Sequence, residues 1–293
     1  MTGMTTSSPD LLAPDTVMGA VTLRVADLDG MVAYYRDAVL LDLLSQDGSV
    51  AVLGRGGVPA VILQHAPELR HAAPRSAGLF HTAILFESEA ALAAAVHSVA
   101  TRHPGSFTGS SDHLVSKAFY FDDPEHNGVE LYWDRDRSQW SWTHGRIEMS
   151  TLFLDPNAFL REHLTEEAIA QPRLGGASVG HVHLSVGDVA TAKEFYVDRL
   201  GFETTIAYGG QALFVSAGGY HHHMAMNTWN SLGAGRRQLA LGLGQVEIVV
   251  PAADDLGALG ERLRSAKVAT ADDGRTLSFE DPWANTLRVT AAA

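Results

Sequence analysis

The sequence predicts an α+β protein in which four βαβββ modules pair into two half-barrel-type domains. Three observations predict it. Val21–Asp37 aligns without gaps on Val182–Asp198, and Phe121–Leu131 aligns on Phe279–Val289. Upstream of the second pair lie two apolar strands, His81–Phe86 and Gln245–Val250. Each is followed by an Ala/Leu-rich helical stretch, Glu89–Ala100 or Asp254–Ala266. Self-similarity of this kind marks a repeated supersecondary unit.

Taken in order, residues 1–16 are rich in Thr, Ser and Pro and are expected to form a loose arm. The first domain covers 17–136, in modules 17–66 and 78–136. A connector follows over 137–177, carrying Trp140, Trp142 and a predicted helix from Asn157 to His163. The second domain covers 178–293, in modules 178–230 and 240–292. In the first repeat pair a strand leads to an aspartate able to cap a helix, then to an amphipathic helix ending in an aromatic pair. From Ser111 the chain reads as one strand through Phe121. Asp122, Asp123 and Pro124 break it, Asn127-Gly128 suggests a tight hairpin turn, and Val129–Trp133 returns as a strand. One module's sheet is too small to bury both faces, so modules are expected to pair around a cleft.

Composition narrows the function. The 293-residue chain is 46% apolar, enough for a sizeable core, and its net charge of −13 argues against nucleic acid as a partner. There is no cysteine, which removes disulfides, thiolate catalysis and zinc–thiolate sites. No apolar run approaches the roughly 18 residues of a membrane span, and the N-terminus lacks a secretory layout. A cytoplasmic protein without a membrane partner is expected. Fourteen histidines leave His, Asp and Glu as the available metal ligands.

The repeats also separate residues needed by the fold from residues needed for something else. His181 falls opposite Ala20, Glu130 opposite Arg288, Tyr120 opposite Ser278 and His113 opposite Ala271; His81 falls near Gln245. Sister modules share packing demands, so a polar residue present in one and missing from the other is a site candidate. Glu130 also sits mid-strand among apolar neighbours, which is costly unless it is paired or bound to a metal. A lone strand histidine is more often a packing residue. Two histidines and a glutamate at equivalent strand positions, all from modules two and three, favour a site instead.

These residues resemble the vicinal oxygen chelate superfamily, which includes glyoxalase I, bleomycin-resistance proteins and type I extradiol ring-cleaving dioxygenases. His113, a five-residue spacer, Phe119-Tyr120, two residues, Asp123-Pro124 and then Glu130 is similar to the extradiol signature, departing from it at His126 and Ser111. The likeness extends over nearly the whole chain, toward the two-domain catechol 2,3-dioxygenases of aromatic catabolism. It implies His81, His181 and Glu130 as ligands of a non-haem metal, Fe(II) first and Mn(II) also permitted. It implies His222 as the acid–base residue, and His113 and Tyr120 as contacts to substrate and oxygen. No organic cofactor is implied. The expected reaction is ring cleavage of a catechol-type diol by O2 to a muconic semialdehyde-type product, and a homo-oligomer is compatible with it. Modules two and three must then face each other, leaving one and four as a metal-free pair. His183 is either a rival ligand or a cleft wall, and strand alternation turns inward either His222 or His221 with His223. The alternatives are a glyoxalase-like metal-dependent isomerase or lyase and a non-catalytic small-molecule binder.

Overall fold

The structure, a computed structural model, describes residues 11–143 and 146–292, with only the backbone of Arg146. The first module comprises β1 (Val17–Val25), α1 (Leu28–Ala33), β2 (Asp42–Asp47), β3 (Val50–Arg55) and β4 (Val58–His65). The second comprises β5 (Gly78–Phe86), α2 (Glu89–Arg102), β6 (Phe107–Asp112), β7 (Ser116–Asp122) and β8 (Gly128–Asp134). Short strands β9 (Trp142–Thr143), β10 (Arg146–Ile147) and β11 (Leu152–Phe153) follow, then α3 (Pro156–His163) and α4 (Glu166–Ala170). The third module is β12 (Ala177–Ser185), α5 (Val189–Lys193), β13 (Glu203–Tyr208), β14 (Ala212–Ser216) and β15 (Met224–Asn227). The fourth is β16 (Gly242–Val250), α6 (Ala253–Ser265), β17 (Thr270–Asp272), β18 (Thr276–Glu280) and β19 (Thr286–Ala291).

Within each module the first and last strands run parallel, as in β5–β8 and β12–β15. Between modules the first strands pair antiparallel: β5 with β12, and β1 with β16. Modules two and three thus join through one central ladder and modules one and four through another, and the Ala177–Arg55 bridge between β12 and β3 links the two pairs into one sheet. The paired first strands are buried along nearly their whole length, as their apolar runs require. Ser88 caps α2 through Ala91 N–H, and the helix lays Leu92, Val96 and Val99 with its alanines against the sheet. Asp27 and Asp188 cap α1 and α5, accepting from Gly30 and Thr191.

Four local expectations need correction. The helix after β1 does not end in its aromatic pair but widens there into a π turn, Tyr34–Ala38, matched by Glu194–Arg199 after α5. The widening points the second aromatic of each pair, Tyr35 or Tyr196, at a buried aspartate, Asp123 or Asp281. The stretch Ser111–Phe121 is two strands, β6 and β7, with a turn at Leu114 in the left-handed region (φ 69°) and capped by Asp112. The turn before β8 is built on Asp123-Pro124-Glu125-His126, with His126 at φ 65°, not on Asn127-Gly128. Gly128 serves close approach instead, since a Cβ there would lie 2.1 Å from the Phe80 carbonyl oxygen. Finally, residues 1–10 of the expected arm lie outside the described residues, and 11–16 are not loose. Leu12 is buried and its N–H donates to the Gly201 carbonyl at 2.8 Å.

Candidate metal centre and its cavity

His81 stands on β5, His181 on β12 and Glu130 on β8, so three neighbouring strands of the module two–three sheet supply the cluster. Irregularities in the β5–β12 ladder fall beside both histidines. The register slips between Val179 and His181, at Gly180, and between His183 and Leu184, opposite Phe80. Such bulges re-aim side chains. Gly180 also admits the Tyr132 hydroxyl, which would lie 1.6 Å from any Cβ at that position. The Tyr132 ring then packs on the His181 imidazole, centroids 4.8 Å apart.

One donor atom from each of His81, Glu130 and His181 falls within 4.8 Å of the other two, and all three residues are buried. Glu130 Oε2 lies 2.9 Å from His81 Nε2 and 3.1 Å from His181 Nε2. Two donors at right angles on one ion, each about 2.1 Å from it, are separated by about 3 Å. The 2.9 Å approach lacks the alignment of a hydrogen bond, and His81 Nε2 is a buried nitrogen with no hydrogen-bond partner. A cation held between that nitrogen and the carboxylate would satisfy both. Burial raises the Glu130 carboxyl, but the His181 and His81 imidazoles more than offset this and hold it well below the usual range. Burial lowers His181, outweighing Glu130. An ionised carboxylate beside neutral imidazoles is the donor set a divalent ion needs. The triad can bind a metal.

The cluster opens on a cavity of about 530 Å³. Tyr120 reaches it from β7, directly across the ladder from Glu130. Its hydroxyl lies 2.8 Å from His113 Nε2, while His113 Nδ1 lies 2.8 Å from the Ser150 carbonyl. A carbonyl only accepts, so neutral His113 carries its proton on Nδ1 and takes the Tyr120 hydroxyl on Nε2. Burial, then the Glu130 charge, push the Tyr120 phenol well above its ordinary range, so it remains a donor. His222 also lines the cavity, its ring 4.0 Å from that of His181. His183 also lines the cavity but lies outside the three-donor cluster, and Asn227 Nδ2–H donates to its Nε2 at 3.0 Å. His221 and His223 point elsewhere: His221 toward Asp134, His223 toward Ala217 N–H. Phe80, Phe214, Tyr208 and Trp229 form an aromatic wall, and no described Lys or Arg side chain lines the cavity.

Reading the sequence missed two contributions. The stretch expected to be only a connector supplies Met149, Ser150 and Thr151 to the cavity wall. Asp134 and Tyr220 support His221 from behind, Tyr220 donating to Asp134 Oδ2 at 2.6 Å. Extending the comparison of modules two and four past Glu130 sets Asp134 against Ala292, the same signal that exposed the other residues.

Paired βαβββ modules framing a buried cluster able to bind a metal define the class. A model of the glyoxalase/bleomycin resistance protein/dioxygenase superfamily matches residues 178–289. A Bacillus subtilis (strain 168) protein named catechol-2,3-dioxygenase is 33% identical over 273 residues, 92% of this chain and 94% of that one. The chain belongs to this superfamily. A solved Bacillus subtilis structure assigned provisionally as a dioxygenase shares the fold at TM-score 0.64 and 13% identity, covering 94% of this chain and 85% of that one. Glyoxalase I from Zea mays does so at TM-score 0.58 and 16% identity, covering 94% and 92%.

Proposed function

We propose that this protein is an extradiol dioxygenase that opens the ring of a catechol-type diol with O2. The observation that carries the reading is one cavity bordered by the His81–Glu130–His181 cluster, the Tyr120–His113 pair and His222. Two imidazoles and one carboxylate suit non-haem Fe(II), with Mn(II) acceptable to the same donors. When bound, such an ion supplies a common point of attachment and electron exchange for the diol and dioxygen. The protein's own groups do the rest. His222 accepts a proton from a diol hydroxyl and returns it to an oxygen as the ring opens. The Tyr120 hydroxyl, its one hydrogen taken by His113 Nε2, turns its oxygen lone pairs to the cavity as an acceptor for a diol or oxygen O–H. The aromatic wall receives the ring and its substituent. The likeness to the Bacillus subtilis catechol-2,3-dioxygenase supports the same reading.

A glyoxalase-like isomerase is the alternative, but the cluster here contains one carboxylate, Glu130, and the Tyr120–His113 pair has no role in it. The test is aerobic addition of catechol to iron-loaded protein. A yellow semialdehyde with matching oxygen uptake is expected; turnover of a methylglyoxal–thiol adduct without oxygen uptake would instead establish the isomerase. His222→Phe is expected to lower turnover by about 10²–10⁴ with unchanged metal content, and full activity in that variant would remove His222 from the mechanism.

A further inference from the structure

Behind His222 lies a buried polar chain that the reaction as proposed does not use. His221 Nδ1 lies 2.8 Å from His222 Nδ1, and His221 Nε2 lies 2.9 Å from Asp134 Oδ1. Tyr220 donates to the other Asp134 oxygen at 2.6 Å, and the Tyr132 and Tyr220 hydroxyls are 2.8 Å apart. His221 has no exposed surface and no place in the cavity wall. Asp134 is the last residue of β8, where it also lines a separate groove with Arg55 and Glu87.

We propose that Asp134 and His221 are positioning residues that fix which nitrogen of His222 carries its proton. The argument is one of donors and acceptors. A carboxylate only accepts, so His221 must carry hydrogen on Nε2. Neutral His221 then has a lone pair on Nδ1, and His222 must donate to it from its own Nδ1. The remaining nitrogen of His222, Nε2, is left without hydrogen at the cavity. A second proton on His221 would reverse the last bond. It would also place a cation among the His181, His222 and Tyr220 rings, on the side where the Arg137 guanidinium already lies over the Tyr220 ring at 5.6 Å. The chain therefore presents His222 as an acceptor ready for a substrate proton, with orientation and tautomer set from behind. This rests on the role given to His222 above, but its test does not.

The tautomer is read directly by 15N NMR on histidine-labelled, zinc-loaded full-length protein, with no turnover required. The expected pattern is hydrogen on Nδ1 of His222 and on Nε2 of His221, signals assigned by loss in the single variants. Hydrogen on Nε2 of His222, or a doubly protonated His221, would overturn the proposal. His221→Gln can still accept from His222 and donate to Asp134, whereas His221→Leu can do neither. In catechol turnover the glutamine variant should hold kcat within about threefold, and the leucine variant should lose about 10–100-fold in kcat, the usual effect of an outer support, with KM little changed. Equal losses in both variants would mean that His221 acts through packing alone. A wild-type protein inactive on every diol but with the expected tautomers would defeat the dioxygenase reading and leave the tautomer assignment standing.

Discussion

Glu130 is the one formal charge in the candidate ligand set, and its isostere separates charge from shape. Glu130→Gln keeps the packing between His81 and His181 but removes the anion, so metal affinity should fall by more than the roughly 10–100-fold typical of losing an outer support. Chelator competition checks this, and wild-type affinity in the variant would dissolve the cluster as a metal site. His183 gives the contrasting case. Its Nε2 is occupied by the Asn227 N–H, so His183→Ala should bind metal with unchanged stoichiometry. Nothing in a sequence distinguishes these two histidines, two residues apart on one strand face. The difference lies in Asn227, brought beside β12 by the parallel β15 pairing. His81, His181 and Glu130 were legible because their sister positions in modules one and four are Ala20, Gln245 and Arg288. The proton arrangement of His113, His221 and His222 was not, because it depends on acceptors from three other segments.

At the scale of elements, the repeated D-P-x-x-N corner before β8 and β19 is a fastener between consecutive modules. Asp123 accepts from the Tyr35 hydroxyl, from Asn127 and from Glu125 N–H; Asp281 accepts from Tyr196, Asn285 and Trp283 N–H. The next device differs between copies. Glu125 accepts from Ala26 and Asp27 N–H, whereas Trp283 donates to the Ala234 carbonyl. Tyr35→Phe and Tyr196→Phe should each cost about 1–3 kcal/mol in urea unfolding, because a buried carboxylate loses a donor. Asp123 gives a pH dependence. Burial, partly countered by Asn127 and Tyr35, raises its carboxyl to about 6 from 3.8. The folded chain then holds this proton where the unfolded chain has lost it, so the stabilisation is complete below pH 3.8 and is lost as pH rises through about 6. Wild type should therefore lose up to about 3 kcal/mol relative to Asp123→Asn between pH 4 and 6.5, and parallel profiles for the two would contradict this. The sequence showed the corner as a repeat but read it as a strand breaker with an Asn-Gly turn. Its left-handed residue is His126, matched by Ala284 at φ 63°, and neither residue type announces such a conformation.

For the whole molecule, the module count and element order were legible because each βαβββ unit carries its own periodicities, and every module's observed strands follow the expected pattern. The partnership of modules followed from where the polar differences fall: two adjoining modules hold the cluster, and the other pair carries Ala20, buried, and Arg288, partly exposed, at the corresponding places. The cavity walls were not legible, since they draw on the connector, on β13 and β14, and on residues beyond β15. Those walls bear on the substrate the proposed reaction accepts. A volume of about 530 Å³ is in the range of sites that enclose ligands larger than a bare diol, and Phe80, Phe214, Tyr208 and Trp229 give the cavity an aromatic lining. The lining includes Asp122 and Glu130, no described Lys or Arg side chain, and the chain carries a net charge of −13. A carboxylate on the substrate would lose water without gaining a counterion, a penalty of several kcal/mol where each 1.4 is tenfold. Alkyl- or aryl-substituted catechols should therefore exceed 3,4-dihydroxybenzoate in kcat/KM by at least about 10²-fold. Salt separates the two sources of that preference. Repulsion by the overall charge is screened beyond about 10 Å at 0.1 M ionic strength, whereas the missing counterion inside the cavity is not, so most of the preference should survive at 0.5 M salt. A preference that vanished with salt would place selectivity at the surface, and a carboxylated diol turned over as well as its neutral analogue would mean that a cation not among the cavity residues reaches the substrate.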